Sequence, residues 1–203
     1  MSRHTYDGWD ARMVSMLSSG TSLSNDVLFG NVYLVEERRP KLSYELFEHA
    51  LSSGCNGMIM TREFPKKLLT EKELDSCKLI WLTNLVGDGR VNPTAIGILM
   101  SQVRSFIENQ PKSVVMIDGL EYMISLNTYD RMLQFMHQLR DLVVTNESIL
   151  VVPMDPRTVT ERELALLERN LEVLVPRVDA ELTEEPMINA ATGEIRLLNV
   201  GHR

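Results

Sequence analysis

Two hydrophobic patterns alternate along the middle of the chain. Short, β-rich, largely apolar runs occupy 31–35, 57–61, 79–83, 113–117, 148–152 and 171–175. Between several of them, apolar residues recur three and four positions apart, the spacing of one helical face. Leu42, Leu46, Phe47 and Leu51 form one such stripe. Ile96, Met100, Val103, Phe106 and Ile107 form a second, and Met132, Leu133, Phe135, Met136 and Leu139 a third. The runs at 113–117 and 148–152 are apolar on both faces, as central strands of a parallel sheet must be when helices cover each side. Punctuation agrees: Pro40 suits a first helical turn, Gly54 a helix end, and Thr160 with Glu163 a capping box. The pattern predicts an α/β fold, a largely parallel sheet with helices on both faces joined by right-handed crossovers.

The two ends read differently from this body. Asp7 can cap a helix in which Trp9, Met13, Met16 and Leu17 share one face, followed by a polar linker to Asp26. Such a stripe either packs on the chain's own core or grips a partner, which makes these four residues the candidate partner-binding set. At the other end, 187–189 and 194–198 flank a turn containing Gly193, a β-hairpin pattern. The expected organisation is an N-terminal helix and linker over 1–26, an α/β domain over 27–176 and an extension over 177–203.

Composition narrows the partners. A chain of 203 residues, 44% hydrophobic, suits one domain with extensions. Its net charge of −7 opposes nucleic acid as the main partner, because that affinity comes from cations neutralising phosphates. The apolar runs fall far short of the roughly 20 residues that span a bilayer. The start shows no signal-peptide pattern, and the two cysteines, Cys55 and Cys77, cannot build a disulfide framework. The expectation is a cytoplasmic protein with no membrane and no nucleic-acid partner.

In a parallel α/β sheet, ligands sit beyond the carboxyl ends of the strands. Arg62, Glu63, Asp118 and Glu121 fall there and are the candidate ligand-facing residues. Asp118 ends an apolar strand, like the acidic residue that orients a magnesium-bound water in nucleotide-binding proteins. That chemistry also needs a glycine-rich loop whose N–H groups and lysine cradle the phosphates. The chain instead reads Glu36-Glu37-Arg38-Arg39-Pro40-Lys41 after its first strand, with no glycine and two carboxylates. Asp118 also suits a turn in which it accepts the following N–H groups. With Glu121 it forms the one acidic pair that acid–base work could use. His4, His49, His137 and His202 lack metal-ligand spacing. No catalytic residue, metal or cofactor is expected, although the residues leave catalysis undecided. Trp81, between Ile80 and Leu82, reads as core alongside Phe135.

Four segments together suggest a family: G-M-I-M-T-R at 57–62, I-W-L-T at 80–83, V-V-M-I-D-G-L-E-Y at 114–122 and L-L-E-R at 166–169. From about Asn31 to Val175 the chain resembles the archaeal family catalogued as domain of unknown function 835. That family has no established activity. Its members are often attached to sensor or regulatory modules, which implies a signalling role. The frame is also distantly similar to the RecA and circadian-clock ATPase type of P-loop fold with the phosphate loop eroded. In that fold a glutamate after the second strand often activates water, and Glu63 stands near the position. The resemblance implies a non-catalytic regulatory or protein-interaction module in an archaeal signalling or multi-subunit assembly, with a protein partner or a second copy. The alternative is a nucleotide-sensing or hydrolytic domain that uses Asp118 and Glu121 with a ligand held in a non-standard way.

Overall fold

The computed structural model describes residues 28–71, 74, 76–169, 171–176, 187–188 and 195–196. The candidate partner-binding residues Trp9, Met13, Met16 and Leu17 lie outside this set. The first half of the body runs β1 (Asn31–Glu36), α1 (Leu42–Ser52), β2 (Asn56–Thr61), α2 (Pro65–Glu71), β3 (Lys78–Leu82) and β4 (Arg90–Val91). The second half runs α3 (Ile96–Asn109), β5 (Ser113–Asp118), α4 (Leu120–Leu126), α5 (Tyr129–Thr145), β6 (Ile149–Met154), α6 (Glu161–Glu168) and β7 (Glu172–Leu174). Beyond it, β8 (Met187–Ile188) pairs antiparallel with β9 (Ile195–Arg196).

Seven strands form one sheet in the order β4-β3-β2-β5-β6-β1-β7, and every neighbouring pair is parallel. Travel along the sheet is in one direction from β1 to β4 and in the other from β5 to β7. Crossovers of a single hand then put the helices of the two halves on opposite faces. The packing agrees. Tyr44, Phe47 and Ala50 of α1 and Leu68 of α2 cover Tyr33, Val35, Ile59, Val114 and Met116. On the other face, α3, α4, α5 and α6 cover Val32, Leu34, Met58, Met60, Val115 and Ile117. The doubly apolar run at 113–117 is buried throughout, because β5 sits between β2 and β6 with helices above and below.

Local chemistry sets several boundaries. The Thr128 hydroxyl accepts the Arg131 N–H at the start of α5, and Thr160 with Glu163 closes a capping box on α6. Gly57 is required by close approach. A Cβ there would lie 2.6 Å from Leu51 Cδ2 and 2.7 Å from Cys77 Sγ, so those side chains would have to shift to admit it.

Pro153 lies inside β6, which the sequence ends at that residue. The Met154 carbonyl accepts Glu37 N–H on the β1 side. Alternation therefore turns Pro153 toward β5, where pairing has already stopped at Val151. Its missing N–H therefore falls where the β5–β6 ladder has already ended.

Trp81 departs from its expected place. It is half-buried at the outer part of the sheet, its ring edge-on to Phe64 at 5.2 Å between centroids. Among the described residues only the short β4 lies outside β3 in the sheet, so the indole is only partly covered. Phe135, in contrast, is fully buried. Phe135→Ala is expected to cost about 3–5 kcal/mol. Trp81→Ala should cost roughly 1–2 kcal/mol, because less area leaves water on folding. Urea denaturation of both variants checks the ranking, and equal losses would contradict the packing described here.

Candidate functional site

The carboxyl edge of the sheet is built from side chains that satisfy one another. At the end of β1 the chain must enter α1, whose first N–H groups have no partner within the helix. Lys41 stands at the cap position and offers no side-chain acceptor. Glu37 supplies one from four residues upstream. Its carboxylate accepts the N–H of Lys41 at 3.0 Å, of Leu42 at 2.9 Å and of Ser43 at 2.9 Å, and also the Ser43 hydroxyl. A helix start attracts anions through these groups and its positive dipole end. Here the anion belongs to the chain.

Two and three strands away in the order, Asp118 and Thr61 are register partners at the ends of β5 and β2. The Asp118 carboxylate accepts the Thr61 hydroxyl at 3.0 Å and the Tyr44 phenol at 3.2 Å. The Thr61 oxygen in turn accepts Glu63 N–H at 2.9 Å, and Arg62 N–H donates to the Asp118 carbonyl at 3.1 Å. Burial raises the Asp118 carboxyl above its usual range, with the Glu63 and Glu37 charges adding to it and the two hydroxyls opposing it. Burial and the negative Asp118 raise the Tyr44 phenol as well. The expected turn, with Asp118 accepting the N–H groups that follow it, is replaced by this cross-strand arrangement. Gly119, which precedes α4, receives no side-chain cap.

The pairing of Asp118 with Glu121 is not formed. A Glu121 carboxylate oxygen accepts Asp155 N–H at 2.8 Å. Asp155 follows the end of β6 on the side where Pro153 leaves the ladder open, so Glu121 satisfies the next donor there. Asp155 pairs with Arg157, whose hydrogen bonds hold its carboxyl down at about 2. Arg62 is exposed, with one guanidinium N–H on the Leu82 carbonyl at 3.2 Å and its plane 4.8 Å from the Tyr122 ring centroid. Glu63 is exposed and pairs with Lys67 at 3.4 Å. Of the four candidates, Glu63 and Asp118 are joined through the Thr61 hydroxyl, Arg62 contributes a backbone N–H, and Glu121 serves a different strand.

Negative charge crowds the edge further. Burial and the neighbouring Glu168 raise the Glu36 carboxyl. Two hollows open elsewhere, one bordered by Arg104, Gln138 and Asp141 and one by Asn56, Lys78 and Asn109, and neither touches Glu37, Thr61 or Asp118. Among the described residues, no three His, Cys, Asp or Glu side chains are grouped to hold a metal ion.

The capping role of Glu37, read from the sequence only as one of two carboxylates after β1, and the parts played by Tyr44 and Thr61 are what the sequence reading passed over. A signal existed for the first two. A helix start without Ser, Thr, Asp or Asn at its cap needs an acceptor from nearby, and Tyr44 places a polar tip on the apolar stripe it shares with Phe47 and Leu51.

The raised Asp118 carboxyl sets a pH dependence. Protonation is easier in the folded chain, so the Asp118 contribution is most favourable below the unfolded value, about 3.9. It is lost as pH rises through the higher folded value. Asp118→Asn removes that loss. The variant is expected to gain stability over the parent from pH 4 to pH 7, read as a widening gap in urea midpoint. A gap that stays constant or narrows would contradict the assignment.

No curated protein is significantly similar to the chain. A solved structure of a Pyrococcus horikoshii OT3 protein, studied under project identifier PH0250, superposes with a TM-score of 0.53 at 16% identity, covering 74% of this chain and 84% of that one. That likeness concerns the fold. A DnaB-like replicative helicase superposes with a TM-score of 0.47 at 11% identity, over 75% of this chain and 48% of that one. Among the described residues no helix is long and apolar enough to cross a membrane. The α/β class with a parallel sheet and helices on both faces is the one expected from the sequence. Residues 36–171 match the family described as protein of unknown function, DUF835, and the chain belongs to that family.

Proposed function

We propose that the chain is a non-catalytic regulatory or protein-interaction module on a nucleotide-fold frame. The observation that carries this reading is the Glu37 carboxylate on the N–H groups of Lys41, Leu42 and Ser43. A phosphate at the start of α1 would need those same donors. It would have to displace an anion tethered four residues away, which no dilution removes. It would also meet Glu36, Glu63 and Asp118, without glycines to let the backbone wrap around it.

The hydrolytic alternative would bring Asp118 and Glu121 to one ligand. Their carboxylates serve separate partners, Thr61 and Tyr44 for the first and Asp155 N–H for the second. That separation favours the interaction reading. Within it, Trp9, Met13, Met16 and Leu17 supply a partner-binding or self-associating face, and the setting is an archaeal signalling or multi-subunit assembly in the cytoplasm. The net charge of −7 supports a protein partner over nucleic acid.

Two measurements test this. With millimolar ATP or GTP and magnesium, hydrolysis should equal the blank and the melting temperature should not move. A ligand present at a hundredfold its Kd would add about 2.7 kcal/mol. Turnover that Asp118→Asn abolishes would overturn the reading. Deleting residues 1–20 should leave a folded body with weakened association. A truncated chain that unfolds, or associates as before, would remove the N-terminal segment from the proposal.

A further inference from the structure

At the β4 edge of the sheet, apolar side chains are held outward rather than buried. The loop between β3 and β4 carries Leu85 at 58% and Val86 at 97% exposure, and Phe64 is 46% exposed beside Trp81. The loop is fastened by its own hydrogen bonds: Leu85 N–H to the Thr83 hydroxyl at 3.3 Å, and Arg90 N–H to the Gly87 carbonyl at 3.2 Å. Arg90 joins the pieces. Its guanidinium donates to the Val86 carbonyl at 3.3 Å and lies 5.5 Å from the Trp81 ring centroid. On the other side of the indole, Trp81 Nε1–H donates to the Arg62 carbonyl at 3.2 Å. Phe64, Trp81, Arg90 and Val86 are therefore one continuous surface with Arg62 at its border.

Its charge is opposite to that of the whole chain. Segments 62–67 and 81–90 carry four cations and two carboxylates, while the net charge is −7. Glu63 is already paired with Lys67. Among the described residues, Arg62 and Arg90 enter no ion pair; carbonyls and aromatic rings hold both guanidiniums in place. Two pre-positioned cations beside an exposed apolar surface call for carboxylates next to an apolar side chain.

We propose that this surface docks an acidic segment of a partner protein. An apolar side chain sits against Trp81 between Phe64 and Val86, and carboxylates pair with Arg90 and Arg62. The inference rests on the interaction-module reading and names the surface that serves it. A nucleic acid fits less well, because two guanidiniums neutralise few phosphates on a chain of this net charge. A second copy related by a two-fold axis would set the same cations against each other.

The test is selection of random dodecapeptides displayed on phage against the full chain, followed by fluorescence anisotropy with synthetic copies of the enriched sequences. The expected sequences carry two or more Asp or Glu beside a Leu, Ile, Phe or Trp. Their affinity should fall at least tenfold in Val86→Asp and in Arg90→Glu, and should weaken from 50 to 500 mM salt. Val86 is almost wholly exposed, so its substitution leaves the core intact, and circular dichroism confirms that each variant is folded. Basic or charge-indifferent sequences, or equal affinity for both variants, would overturn the proposal. So would tighter binding of a 20-nucleotide oligothymidylate, or a concentration-dependent dimer that Val86→Asp abolishes. Magnesium-ATP turnover is measured on the same preparations. Peptide failure without turnover sinks the docking surface alone, whereas turnover sinks the non-catalytic reading beneath it.

Discussion

The contact between the Glu37 carboxylate and the first N–H groups of α1 sets the character of the carboxyl edge. A parallel strand that runs into a helix always delivers unpartnered donors and a positive dipole end to this edge. A phosphate-binding site built on a helix start leaves those donors to the phosphate. Here the connection carries its own anion, and the helix start is satisfied before any ligand arrives. The rest of the edge is also negatively charged. Without glycines the backbone cannot wrap around a phosphate, and the neighbouring Glu36 and Glu63 would repel one.

Asp118 shows the same economy of partners. The strand order places β6 between β1 and β5, so Asp118 stands two strands, roughly 10 Å, from the end of β1. Tyr44 reaches across from α1 to hydrogen-bond it, while Thr61 holds it from the adjacent strand. The Asp118 carboxylate is thereby a tie between a helix and two central strands. Glu121, two residues into the neighbouring helix α4, performs a similar structural duty for the frayed end of β6. What looks like a cluster of acids in the sequence is a set of separate braces in the fold.

Much of the frame was legible because it depends on local pattern. The doubly apolar runs at 113–117 and 148–152 could only be central strands, and the Thr160 and Glu163 pair announced the cap of α6. The short helices α2 and α4 and the two-residue β4 were not foreseen, because seven residues or fewer carry too little periodicity. Trp81 was misplaced for a different reason. Its neighbours Ile80 and Leu82 are core, but alternation turns Trp81 to the other face, and its exposure depends on how little chain lies beyond β3. The candidate site was half legible: position at strand ends put Asp118 and Glu63 at the carboxyl edge. The hydroxyl and backbone partners that hold them come largely from other elements, and only the assembled fold brings those together.

The most direct test of this account is the amide spectrum of the isotopically labelled chain as magnesium-ATP is added. With Glu37 in place on the helix start, the resonances of Lys41, Leu42 and Ser43 should stay where they are up to millimolar nucleotide. Saturable shifts of those three amides in the parent chain would show a phosphate displacing the carboxylate, and would contradict the account at its centre.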